Sequence, residues 1–189
     1  MASQKMLNKI EQLKKGLEVM ISNDDFNKFF ENVQPKILKY SELANFETMT
    51  DLLPENRDYK IILTESSRGC GHWCCIMRYD NTFEWFDSYG VKPDGELNFI
   101  AAGIKKMLGE DKHHLSRLIK TIKAPNKFIY NKTKFQVLKE GINSCGRWTI
   151  SRLKTFQIGY DLKEFQDFIN KFCINNDCPP DVGVVLLTS

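Results

Sequence analysis

The chain has 189 residues, 42% apolar and 27% charged, with a formal net charge of +3. That length supports one domain with a real hydrophobic core, and the balance excludes a disordered or fibrous chain. Lysines are spread over helix faces rather than gathered in one block, so nucleic acid is not expected as the main partner.

The first apolar residues are interrupted by lysines and glutamates, which is not the pattern of a signal peptide. The longest apolar run, Val182 to Leu187 broken by Gly183, is too short to span a bilayer. No membrane partner is expected. Cysteines at 70, 74, 75, 145, 173 and 178 then read as reduced thiols of a cytoplasmic protein.

In chain order, residues 3 to 21 carry Met6, Leu7, Ile10, Leu13, Leu17, Val19 and Met20 at a helical period, with Ser3 as cap. Ser22-Asn23-Asp24 breaks this helix and caps a second one holding Phe26, Phe29, Phe30 and Val33, which ends before Pro35. Residues 1–34 therefore form an N-terminal helical segment, either a docking element or a packed flank, and 35–189 the main domain. A short helix is expected through Glu42 to Leu53, stopped by Pro54. Tyr59 to Thr64 reads as a strand and Glu65 to Gly71 as a loop. Trp73 to Tyr79 and Thr82 to Phe86 read as strands joined by a hairpin turn at Asp80-Asn81. Glu96 to Leu108, ended by Gly109, and Leu115 to Ile122 read as helices, and Lys127 to Tyr130 as a short strand. Cys145 to Phe156 is an amphipathic helix closed by Gly159. Asp161 caps a further helix through Phe172, and the Pro179-Pro180 break leads to an apolar tail. The class is α+β, a small, mostly antiparallel sheet packed by helices.

The stretch Asn143-Ser144-Cys145-Gly146 runs from a polar loop into a helix. A cysteine in the first helical turn meets the positive end of the macrodipole, which stabilises its thiolate. Gly146 would let a substrate backbone come close. In the hairpin, pairing Tyr79 with Thr82 and counting back puts His72 opposite Tyr89 and Cys74 opposite Asp87. His72 and Asp87 then share one face as diagonal neighbours, with Cβ atoms ~7–8 Å apart or less. An Asp carboxylate in that position can orient an imidazole and stabilise its protonated form. The competing readings are a buried structural thiol, an inactive binding module, and a zinc site built from Cys70, His72 and Cys74 with Cys173 and Cys178. The x-one spacing and the lack of a CxxC pair argue against zinc, so no metal or other cofactor is expected.

Gly71-His72-Trp73, Phe86-Asp87-Ser88, Gln136 and Asn143-Ser144-Cys145-Gly146, in that order, resemble the signatures of the cysteine peptidases that include the adenovirus protease (adenain) and the SUMO and ubiquitin-like-protein proteases. The resemblance covers about Tyr59 to Phe156. It implies an adenain-like fold with Cys145 as nucleophile, His72 as general base and acid, and Asp87 orienting His72. Gln136 would donate to the oxyanion beside the Cys145 N–H. Trp73, Gly146 and Asn143 would contact substrate, with Trp73 roofing a narrow tunnel over Gly-Gly. The activity implied is cleavage after Gly-Gly or Gly-Xaa in a viral polyprotein or a ubiquitin-like modifier, in the host cytoplasm or virion, or deubiquitination or deSUMOylation of host proteins. The Gln136-to-Cys145 interval is longer than in that group. Its extra residues, Gly141 among them, must bulge outward; otherwise Asn143 or no side chain supplies the donor.

Overall fold

The computed structural model describes residues 2–189, apart from the side chains of residues 2, 3, 5 and 35. Its frame is a five-stranded sheet in the order β1-β2-β3-β4-β5: β1 Ile37–Lys39, β2 Tyr59–Ser67, β3 Cys70–Tyr79, β4 Thr82–Phe86 and β5 Lys127–Tyr130. Successive side chains point to opposite faces, and the central strands are buried on both, with β4 buried at every position. On one face, Ile61, Leu63, Trp73, Cys75, Met77 and Phe86 join one core. On the other, Ile62, Cys74, Ile76, Phe83 and Trp85 join a second.

The helices divide between those two faces. The second core is covered by α3 (Met49–Leu52), a 3-10 turn at Tyr40–Asn45, another at Glu96–Phe99, and α5 (His114–Ile119). The first core is covered by α6 (Cys145–Gln157), α7 (Leu162–Asn175) and α8 (Pro180–Leu187), together with Ile21, Phe26, Phe30 and Val33 of the N-terminal segment. That segment holds α1 (Ala2–Glu18) and α2 (Asn23–Phe26). The side chain of Ser3, expected to cap α1, lies outside the described residues. No described helix is long and apolar enough to cross a membrane.

Several expectations are corrected. The sheet is mixed: β2–β3 and β3–β4 are antiparallel, but β1–β2 and β4–β5 are parallel. Parallel neighbours need long crossovers, which here carry α3 and, in the second case, α4 (Ala102–Leu108) and α5. The helix expected through Glu42 to Leu53 is a 3-10 turn followed by α3, capped by Thr48 and Asp51 reciprocally. The expected loop Glu65 to Gly71 mostly continues the β2–β3 ladder, with a bulge at Glu65/Ser67. The second N-terminal helix stops at Phe26, and Phe29, Phe30 and Val33 follow it in turns. The helix expected from Glu96 breaks after Phe99, with Ile100 extended, before α4 begins and ends at left-handed Gly109. The apolar tail is a helix, α8, entered through Pro180 in its first turn.

Helix α6 is anchored to the sheet by a fully buried ion pair. Arg152 of α6 donates through Nε and Nη2 to the two carboxylate oxygens of Glu84 on β4, both at 2.8 Å. Tyr79 adds its hydroxyl to the same carboxylate at 2.8 Å. This fork-to-fork geometry gives orientation as well as attraction.

Candidate active site

β3 runs on to Cys70, whereas its ladder with β4 ends at Cys75 and Phe86. The chain leaving β4 turns at Asp87-Ser88, and the open end of the sheet receives the segment after β5. Phe135 and Gln136 both donate their N–H to the Ser88 carbonyl, at 2.9 and 3.0 Å. The start of α6 arrives at the same end. Four segments that are distant in sequence thus converge on His72.

The hairpin turn places His72 and Asp87 as the counting required. His72 Nε2 lies 3.0 Å from Asp87 Oδ1. The same oxygen accepts the Tyr89 N–H at 2.7 Å, and the Asp87 carbonyl accepts from Asn131 Nδ2 at 2.7 Å. Asp87 is wholly buried, and its Oδ2 has no hydrogen-bond partner. Tyr89 stacks on the imidazole, with ring centroids 4.7 Å apart. Burial pulls the imidazole down, but Cys74 and Asp87, with the hydrogen bonds from Asp87 and Cys145, hold it well above its ordinary value.

Cys145 is the first residue of α6 and half-buried. Burial would push its thiol up, yet the hydrogen bond and charge of His72 and the N–H groups of Trp73 and Gly146 bring it below the ordinary thiol value. The preceding residue, Ser144, does not cap its own helix. Its hydroxyl goes instead to Asp181 Oδ1 of α8, at 2.5 Å. Asp181 also accepts from Trp148 Nε1 at 3.1 Å and, through Oδ2, from the Val137 N–H at 2.9 Å. One buried carboxylate therefore ties the residue before Cys145, the next turn of α6, and the residue after Gln136.

Gln136 is buried and borders the same cavity as His72 and Cys145. Ser88 Oγ donates to its Oε1 at 2.8 Å, and its Nε2 donates to the Ile142 carbonyl at 3.3 Å. An amide nitrogen carries two hydrogens, so one remains for a ligand. The long interval after Gln136 does bulge: Gly141 takes φ +81°, Ile142 N–H bonds back to Lys139, and Val137 and Leu138 stand exposed.

The three expected substrate contacts are arranged differently. A Cβ on Gly146 would sit 2.4 Å from Ile21 Cβ. Its smallness admits the N-terminal segment, not a substrate. Trp73 is 5% exposed, packs edge-on against Phe26, and donates Nε1–H to the Ile21 carbonyl at 2.8 Å. It is a core residue that also borders a groove of about 610 Å³ leading to Cys145. Asn143 is committed to α1, its N–H to Leu17 O and its Nδ2 to Glu18 O, both at 2.7 Å. Arg147 Nε adds a bond to Gly16 O at 3.0 Å. The last carbonyls of a helix lack partners within it, and here Asn143 and Arg147, on either side of Cys145, satisfy those of α1.

The zinc set read from the sequence is not assembled. Cys70 Sγ lies by Met20 Sδ at 3.8 Å, and Cys173 and Cys178 face each other beside Gly183. Among the described residues, the group that could hold a metal is His72, Cys74 and Asp87, with donor atoms within 4.8 Å of one another. Burial pushes the Cys74 thiol well above its ordinary value. Asp181 is not singled out by the sequence, and Ser88 and Tyr89 carry no assigned role there. The Tyr89 stacking was implicit in the hairpin register, but Asp181 had no local signal.

Fold and site together define a mixed-sheet α+β protein with a Cys–His–Asp cluster at the end of its central hairpin. The chain belongs to the same family as a protein of Sputnik virophage described as "Uncharacterized protein V9". The two are 33% identical over 180 residues, spanning 95% of this chain and 99% of the virophage protein. No described protein-family profile matches the chain, and no solved structure matches it.

Proposed function

We propose that the protein is a cysteine peptidase that cleaves after Gly-Gly or Gly-Xaa through Cys145, His72 and Asp87. The observation that carries this reading is His72 held between Asp87 Oδ1, at 3.0 Å, and a Cys145 thiol lowered at the start of a helix. The order of these residues and the mixed α+β layout support an adenain-like fold. The virophage relative supports a viral setting for the protein.

In this mechanism the Cys145 sulfur attacks the scissile carbonyl carbon. The resulting oxyanion is met by the Cys145 N–H and the free hydrogen of Gln136 Nε2, donors that typically contribute ~10²–10³ in rate each. His72, holding the proton taken from the thiol, delivers it to the leaving amine as the C–N bond breaks. Water then attacks the thioester, His72 accepts its proton, and the carboxylic acid product leaves with the thiol restored. Asp87 keeps the imidazole oriented in both halves.

Cys145→Ala is expected to abolish hydrolysis of a fluorogenic Gly-Gly-amide while leaving the melting transition in place; surviving hydrolysis would refute the assignment. Electrophilic ubiquitin-like C-termini that label Cys145 would point to modifiers. Cleavage of Gly-Gly-Xaa peptides without such labelling would point to a polyprotein.

A second reading rests on the convergence of His72, Cys74 and Asp87: a bound metal that stabilises the sheet end. It predicts stoichiometric zinc in the purified protein and a lower melting temperature with chelator. Metal-free protein of unchanged stability would dismiss it.

A further inference from the structure

Cys145 stands between two openings. Gly71, Asn143 and Cys145 border both the 610 Å³ groove and a second cavity of about 210 Å³ on the Gln136 side. The second cavity is walled by Phe99, Ile100, Leu138 and Ile142, and its polar lining includes Thr64 and Glu96. Phe99 and Leu138 are 65% and 64% exposed, so large apolar surface is left at its edge. The polar pair lies inside: Thr64 is 2% exposed and Glu96 3%. Neither Thr64 Oγ1 nor either carboxyl oxygen of Glu96 has a hydrogen-bond partner.

Burying a carboxyl without a partner is expensive, and an unmade bond costs more than a made one contributes. Burial pushes Glu96 up to about 8, with Asp87 and Asp94 adding to the rise. The Glu96 backbone N–H and, more weakly, His72 pull the other way, but Asp87 already holds His72. The mechanism above uses neither Glu96 nor Thr64. Two unpartnered acceptors from different elements therefore lie in one cavity with apolar walls beside the nucleophile. That combination matches an amphipathic side chain with a donor-rich tip.

We infer that this cavity is a specificity pocket for a basic side chain of the substrate, Lys or Arg, whose alkyl stem lies on the apolar walls and whose cationic tip donates to Glu96 and Thr64. When the cation enters, the Glu96 proton leaves to solvent and the pair forms as carboxylate and ammonium or guanidinium. The inference rests on Cys145 being the hydrolytic nucleophile. The groove bordered by Trp73 then takes the Gly-Gly stretch, and the pocket across Cys145 takes a residue beyond the scissile bond.

The test has two arms. In the first, n-butylammonium, a lysine-tip mimic, is titrated into the full chain by calorimetry, with n-pentanol as the uncharged control. Saturable binding is expected, at least tenfold weaker in Glu96→Gln, at least threefold weaker in Thr64→Val, and at least tenfold weaker for n-pentanol. Absence of saturable binding, or equal binding by wild type and both variants, overturns the pocket. If Glu96→Gln fails to fold, Thr64→Val and the n-pentanol comparison decide. In the second arm, kcat/KM is compared for Gly-Gly peptides carrying Lys or norleucine after the scissile bond. A preference for Lys of tenfold or more that collapses in Glu96→Gln supports the pocket. Cleavage of both peptides at equal rates overturns it and leaves the peptidase standing. Glu96-dependent binding with no peptide cleaved supports the pocket and counts against the peptidase.

Discussion

Replacing Asp181 by Asn isolates what α8 does for the start of α6. The carboxylate is 4% exposed and accepts from Ser144 Oγ, Trp148 Nε1 and the Val137 N–H. Asn keeps the shape but has one oxygen where two acted. If that oxygen stays with Ser144 and Trp148, the new NH2 confronts the Val137 N–H, donor against donor. One bond is lost and a buried donor is orphaned, costing ~1–3 kcal/mol. The two surviving bonds lose their charge assistance, bringing the total to ~2–4 kcal/mol. Urea unfolding followed by circular dichroism reads that number. A second readout is local: the pH midpoint of iodoacetamide alkylation at Cys145 should rise, because Ser144 and the Gln136 loop no longer fix the start of α6 against His72. Asp167→Asn, at an exposed site paired only with Lys163, serves as the control and should change neither. An Asp181→Asn protein within 0.5 kcal/mol of wild type, with an unmoved alkylation midpoint, would refute the reasoning.

Three further outcomes are expected. Arg152→Met strands a buried Glu84 charge and should cost ~3–5 kcal/mol in urea unfolding, and adding Glu84→Gln should recover at least half; a double variant less stable than the single would show that the pair is not the unit. Gly146→Ala drives a methyl into Ile21 and should cost ~1–3 kcal/mol, with the Ile21→Gly/Gly146→Ala pair losing less than the sum of the single changes. Glu96, held at about 8 against an ordinary 4.5, favours folding fully below pH 4.5 and loses that contribution as pH rises through 8, at about 1.4 kcal/mol per unit and on the order of 5 kcal/mol at most. Melting temperatures from pH 5 to 9 should therefore fall less steeply in Glu96→Gln; Glu110, pushed up to about 7 by burial, leaves a residual slope, and an unaltered slope would contradict the account.

Local chemistry made part of this molecule readable. Period-two alternation and a two-residue turn fix β3 and β4, and with them the approach of His72 to Asp87. Gly159 and Asp161 mark the junction of α6 and α7 because an αL residue and a cap act within a few positions. Other features depend on residues far away. Ile37–Lys39 is three residues long and becomes a strand only because β2 offers a parallel edge. Pro180–Leu187 reads only as an apolar tail, with valines around Gly183, yet it is helical where Gly183 lets it lie against Cys173. Gly146 looked like room for substrate, since nothing within the helix reveals that Ile21 fills the space. Asp181 and Glu96 are ordinary acids in sequence, and their burial sets them apart.

The carbonyls of Gly16, Leu17 and Glu18 are satisfied by Arg147 and Asn143, and Ser144 by Asp181, over separations of 125 to 131 positions on one side and 37 on the other. Non-local contacts of this kind form late, because the chain must close long loops before they give anything back. In a growing polypeptide, Cys145 therefore emerges as an ordinary thiol and stays one through most of folding. Its pKa falls only once His72, Trp73 and Gly146 surround it, an arrangement that the α1 and α8 bonds hold in place. Reactivity at this residue reports that the end of β3 and the start of α6 have come together.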